Sequence, residues 1–230
     1  MSTLNFPRTL AAVALVCTAS LAAAVSLSDL SSKDATAGVK TALEKGATVA
    51  VSRLGVQNGF LNNDKVKIGL PGPVEKARPI LKMLGQGKRV DELEVSMNHA
   101  AEAAVAEAKP LLLNAVKNMS ITDAKNILTG GDNSVTEFFR QKTATQLTTK
   151  FLPIVKKITD GNGLSAQYNT LMSKASASGL TKENSTVESY VTQRALDGLY
   201  TIIGEEEKAI RADPVGTGSA ILGKVFGALK

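Results

Sequence analysis

The chain of 230 residues has a single cysteine, Cys17, a single histidine, His99, and no tryptophan, and its remaining rings are six Phe and three Tyr. A structural zinc centre takes four Cys or His ligands, so this poverty excludes zinc scaffolds, disulfide frameworks and most thiol chemistry. Few rings also argue against base-stacking surfaces, carbohydrate platforms and the aromatic, β-branched strands of sandwiches. No repeat of fixed period, heptad seam or low-complexity tract occurs. What the chain does have is 30 Ala, 43% hydrophobic residues and a charge of +6 from 27 basic and 21 acidic side chains. A chain of this length buries roughly 70% of its unfolded surface and needs no metal or disulfide to hold it together. The composition predicts one all-α domain of Ala-rich amphipathic helices.

Residues 1–24 read as a secretory leader. Arg8 is their only charge, an apolar stretch runs from Leu10 to Val16, and Ala22-Ala23-Ala24 has the small-x-small form of a signal-peptidase site. The apolar run of roughly 15 residues falls short of the roughly 20 that span a bilayer. Cys17 raises the rival of a lipoprotein, but Val16 is bulky where such a cut wants a small residue. Cleavage after Ala24 leaves residues 25–230, a Cys-free domain with 26 basic against 21 acidic residues, placed in the periplasm.

Apolar spacing of three and four places an amphipathic helix over 34–54, where Val39, Leu43, Ala47, Ala50 and Leu54 share a face. The Gly- and Pro-rich stretch 55–73 breaks the period. Within it Val66, Ile68 and Leu70 alternate with Lys65, Lys67 and Gly69, so a loop with at most a small β-hairpin is expected near 59–71. A short helix over 74–84 precedes the longest pattern, 88–119, whose Ala-rich face marks it as the central helix, kinked or broken near 106–110 by Pro110. Ser120 and Asp123 form a capping box ahead of a short helix that stops at Gly130-Gly131. Asp132 or Ser134 then caps a helix carrying Val135, Phe138, Phe139 and Leu147, with further short helices over 152–158 and 164–172. Residues 173–186 read as a surface loop, Ser185 to Glu188 as a second capping box, and Asp213-Pro214 as the start of a last helix.

Several segments carry a family resemblance: Leu27-Ser-Asp-Leu30, Gly59-Phe-Leu-Asn62, Lys67-Ile-Gly-Leu-Pro71, Met97-Asn-His-Ala-Ala-Glu102, Asp123-Ala-Lys-Asn-Ile-Leu128 with Gly130-Gly131, the stretch 190–199, Glu205 to Arg211, and Val225-Phe-Gly227. Together they resemble an uncharacterised bacterial family, domain of unknown function 4197, over nearly all of residues 25–230. The resemblance implies an exported, helix-rich envelope protein of unassigned activity. His99 stands where that pattern has a basic residue, often Arg, and Asn133-Ser-Val-Thr136 replaces a more Ala-rich run.

Catalytic and metal readings find little to stand on. Gly130-Gly131-Asp132 lacks the downstream Gly-Lys-Ser/Thr of a phosphate loop and any preceding strand, so it reads as a helix stop. No Gly-x-Ser-x-Gly elbow is present for a nucleophile, and the i, i+3 pair His99 and Glu102 gives only two ligands of a metal set. Asp160-Gly-Asn-Gly163 lacks the later acids of a calcium loop. No cofactor is expected. Asn98 and Glu102, four apart on the Ala-rich helix, are either its solvated flank or a partly buried pair that binds a ligand or another helix's backbone. Gly198, inside a helical pattern, implies close packing against another helix.

The ligand-binding candidates are Asn98, Glu102, Asp123, Thr136, Arg140, Asp197 and Arg211, on the condition that they converge on one cavity. The leading reading is an exported protein that binds an apolar small molecule between helices or an envelope protein. A hydrolase using carboxylates around Glu102 and Asp123 and a purely structural envelope component remain open beside it. Export disfavours nucleic acid as a partner, whereas the basic balance, with Lys150, Lys156 and Lys157 nearest to a patch, allows weak contact with an anionic membrane surface. Oligomeric state is not fixed by the sequence.

Overall fold

The computed structural model describes residues 32–161, 163–177 and 186–213. Its elements run α1 (Ser32–Leu54), α2 (Gly72–Met83), α3 (Gly87–Ala106), α4 (Lys109–Lys117), α5 (Ile121–Thr129), α6 (Ser134–Thr159), α7 (Gly163–Ala177) and α8 (Val187–Ala212). The described residues contain no strand, so the fold is all-α. The leader over 1–24 with Cys17, the residues after Asp213 and the cap at Ser185 lie outside the described residues.

Helix α3 occupies the centre. Its Val90, Leu93, Met97, Ala100, Ala101, Ala104 and Val105 are all buried, and it packs on α1, α2, α6, α7 and α8. Ala side chains at this spacing let neighbouring backbones come close, the reason an Ala-rich stripe suits a helix that is covered on several sides. The long pattern over 88–119 is broken between α3 and α4 at Glu107 and Ala108, just before Pro110, which needs no amide donor in the first turn of a helix. The most extensive packing joins α6 to α8 and α3 to α6, while α1 lies across α8, α4 and α5.

Three sequence expectations are corrected. The helix carrying Val135 to Leu147 and the short one over 152–158 are a single 26-residue element, α6, which continues through Pro153. Phe151, Val155 and Thr159 stay on its buried stripe, and that packing outweighs the roughly 3 kcal/mol that an internal proline costs. Helix α7 extends to Ala177, so the first part of 173–186 is helical, while 178–185 lies outside the described residues. Helix α8 is capped by Thr186, whose hydroxyl accepts from the Ser189 amide, one residue later than the Ser185 box. The Ser120–Asp123 box is present, with both of its reciprocal hydrogen bonds.

The stretch 55–71 is a loop. Val66, Ile68 and Leu70 are buried and Lys65, Lys67 and Gly69 exposed, the expected alternation, but no second strand lies beside it. Asn58 adopts φ 65°, and Gly59 follows where a Cβ would fall 2.5 Å from the Arg53 carbonyl oxygen, so only glycine lets the chain fold back over the end of α1. Ion pairs from Arg53 to Glu206 and Lys65 to Glu205 tie this region to α8.

Candidate functional site

Each side chain's reach divides the seven candidates into separate places. Asn98 and Glu102 lie on the side of α3 that meets the 55–71 loop, and both are buried, which corrects the expectation of a solvated flank. Glu102 accepts from three loop amides, Asn58 N at 3.0 Å through Oε2 and Phe60 N and Leu61 N at 3.0 and 3.2 Å through Oε1. Asn98 Oδ1 accepts from Ile68 N, and its amide donates to the carbonyls of Ile68 and Glu94. Buried polar groups must be paired, and these two side chains meet that need for a loop that has no strand partner. They bind backbone, as one sequence reading had it, but a loop's rather than another helix's. His99 stands at the edge of the clamp, its Nε2 3.3 Å from Asn58 Oδ1 and 4.0 Å from Glu102 Oε2. Among the described residues no three His, Cys, Asp or Glu side chains gather closely enough to hold a metal ion.

A second place is the junction of α5 and α6, where Asp123, Asn126, Gly130, Asp132, Ser134 and Glu137 line an open cavity of about 420 Å³. Asp123 receives the Ser120 amide and hydroxyl and lies 3.4 Å from Lys142 Nζ. Those hydrogen bonds, the Ser120 amide foremost, hold its carboxyl below the usual aspartate range. Arg211 approaches from behind, donating to Ile127 O, Ser134 Oγ and Glu207 Oε1.

Glu207 was missed in the sequence. Neither expected residue caps α6: Ser134 is already its first residue, and neither Asp132 nor the residue at the cap position, Asn133, makes a side-chain cap. Instead the buried Glu207 carboxylate accepts from the Val135 amide, at 3.2 Å through Oε2, and from the Ser134 hydroxyl. A carboxylate there also opposes the positive end of the α6 dipole. Burial nonetheless pushes the Glu207 carboxyl above the usual glutamate range, with the Arg211 and Ser134 hydrogen bonds pulling the other way. The visible signal was its phase: Ile203, Glu207 and Ile210 fall on one stripe of α8.

Thr136, Arg140 and Asp197 line the α6–α8 contact. Thr136 Oγ1 is buried without a hydrogen-bond partner among the described residues, and a Cβ on Gly204 would fall 2.9 Å from it. Arg140 Nη1 is 3.3 Å from Asp197 Oδ1 and its guanidinium lies 4.8 Å from the centre of the Tyr200 ring. Both side chains are nearly half exposed, so the pair adds at most about 1 kcal/mol. Gly198 packs against the Phe60 ring and Val66 of the loop, not against another helix. Lys150 and Lys156, two members of the expected basic patch, are engaged by Glu107 and Asp160.

Helix α2 presents a feature that the sequence reading did not single out. Ile80, Met83 and Leu84 are 60%, 85% and 69% exposed. Beside α2 runs a shallow groove of about 810 Å³, lined by Lys82, Lys88, Asp91, Val95 and His99 among others.

The profile of the family described as Protein of unknown function (DUF4197) matches residues 29–227. The chain belongs to that family. No curated protein and no solved structure matches the chain. Membership in the DUF4197 family covers every element from α1 to α8 but assigns none of their side chains a role.

Proposed function

We propose that the protein is exported to the periplasm, loses residues 1–24 and acts there by binding a cell-envelope partner. The observation that carries this reading is the exposure of Ile80, Met83 and Leu84 together at the end of α2, because large apolar side chains grouped on a surface mark interaction sites. The leader read in residues 1–24 supports the location. Two alternatives have less behind them. The space lined by Ala42, Leu43, Ile203, Glu207 and Ile210 measures about 10 Å³, room for about one water, so an apolar molecule does not fit between α1 and α8 there. Glu102 and Asp123, the acids a hydrolase would use, are spent on backbone amides.

Cell fractionation of the native host tests the reading. The expected result is a processed chain in the envelope fraction that Met83→Ser/Leu84→Ser releases into the soluble periplasmic fraction. Recovery of the chain from the cytoplasm with Met1 in place would overturn the export claim, and an unchanged distribution of the double variant would overturn the α2 surface.

A further inference from the structure

Resting on the proposal that α2 is a docking face, we infer that its occupant is the surface of an anionic lipid bilayer. Lys76, Ile80 and Met83 follow one another at four and three residues and therefore share the exposed side of α2, opposite the buried Val74. Leu84 follows the last residue of the helix and Gly85 and Gly87 turn the chain into α3, so the three apolar side chains sit at the exposed corner between α2 and α3. Around that corner the basic side chains outnumber the acids, five against four over residues 75–94. Residues 76–90 contain Lys76, Arg78, Lys82, Lys88 and Arg89 and no acid.

The nearest acids are already occupied. Arg78 binds Glu75, Asp91 and Glu94, and Glu92 lies 3.8 Å from Lys88. Among the described residues neither Lys76 nor Lys82 has an ion-pair partner, and both are exposed. An apolar helix end flanked by two unpaired lysines is what a headgroup region accepts: the tip enters the boundary with the acyl chains while the ammonium groups meet phosphates. A second copy of the chain fits less well, because a two-fold pairing of this face would bring two like sets of lysines into one interface. No helix among the described residues is long and apolar enough to cross a membrane, so the contact is one of a helix end lying at the surface.

The test is flotation of the protein, purified from the envelope with its N-terminus determined, with vesicles of phosphatidylcholine alone and with added phosphatidylglycerol. The expected result is partition at least about tenfold stronger onto the anionic vesicles, weakening as salt is raised. Met83→Ser/Leu84→Ser and, separately, Lys76→Glu/Lys82→Glu should each lower that partition about tenfold while circular dichroism stays unchanged. Equal binding to neutral and anionic vesicles, or binding that neither variant alters, would overturn the inference. So would a dimer on size exclusion that the first variant dissolves with no vesicle binding, which would assign the face to a second copy. If vesicles fail while fractionation still shows release by the apolar variant, the docking face stands and only its lipid occupant falls.

Discussion

Asn98 meets Ile68 as a neighbouring strand would, its Oδ1 taking the Ile68 amide at 2.8 Å and its Nδ2 giving to the Ile68 carbonyl at 2.9 Å. One carboxamide thus closes the two-bond ring that an antiparallel partner residue closes in a sheet. Asn98→Ala leaves both Ile68 groups unpaired and buried and opens a gap beside Met97. Its expected cost is about 2–4 kcal/mol in urea unfolding. Asn98→Asp keeps the acceptor but turns a carboxylate toward the Ile68 and Glu94 carbonyls, and is expected to cost as much. A loss under about 0.5 kcal/mol for either variant, the range of ordinary surface changes, would show that the loop stands without the clamp.

Glu102 is the charged half of the same clamp, and its three amide donors distinguish it from an isosteric glutamine. Glu102→Gln retains one oxygen for Phe60 and Leu61 but aims an NH2 at the Asn58 amide, donor against donor. The expected effect is a loss of about 1–3 kcal/mol together with faster hydrogen exchange at Asn58, Phe60 and Leu61. Unchanged protection at those three amides would refute the assignment.

These two residues also show how far the sequence can be read. The alternation of Val66, Ile68 and Leu70 was visible and correct, as was the Ala-rich face of α3, because burial leaves a periodic trace. What pairs with Ile68 leaves none, since a single side chain in place of a strand has no period. The same holds for α6, whose N-terminus is served by Glu207, 73 residues away from Ser134 in sequence, rather than by the polar residues just before it. Local capping rules read Ser120 and Asp123 correctly because both partners of that bond lie within one turn. The split of α6 into two helices failed for a related reason: the element continues through Pro153, a local breaker that the distant packing of Phe151 and Val155 overrules.

Gly198 allows the loop and α8 to touch. A Cβ there would fall 2.6 Å from Phe60 Cε1 and 3.2 Å from Val66 Cβ, and Phe60 is fully buried and has nowhere to move. Gly198→Ala gains about 1 kcal/mol of helix propensity yet is expected to be a net loss, because overpacking costs about 1–3 kcal/mol and the ring clash is at the severe end. Gly69→Ala, with nothing within 4 Å of the added carbon, is the control and should leave the Tm unchanged or slightly higher. A Gly198→Ala chain more stable than wild type would mean that the loop yields at Phe60.

The buried Glu207 should give the fold a pH dependence opposite to that of the other shifted acids. Burial raises its carboxyl above the ordinary glutamate range, so the folded chain holds that proton more tightly than the unfolded one. Its contribution is therefore fully present below the unfolded value and is lost as pH rises through the raised folded value. Asp123, lowered chiefly by the Ser120 amide, and Glu94, whose hydrogen bonds from Arg78 and Lys67 overcome its burial, contribute stability present above their unfolded values and lost as pH falls. Glu207→Gln keeps an acceptor for the Val135 amide and removes the titration. Urea unfolding across a pH series should then show the wild type losing ground to the variant as pH climbs from the ordinary glutamate range through the raised value. A difference that stays constant, or that moves in favour of the wild type with rising pH, would mean that Arg211 rather than burial governs this carboxylate.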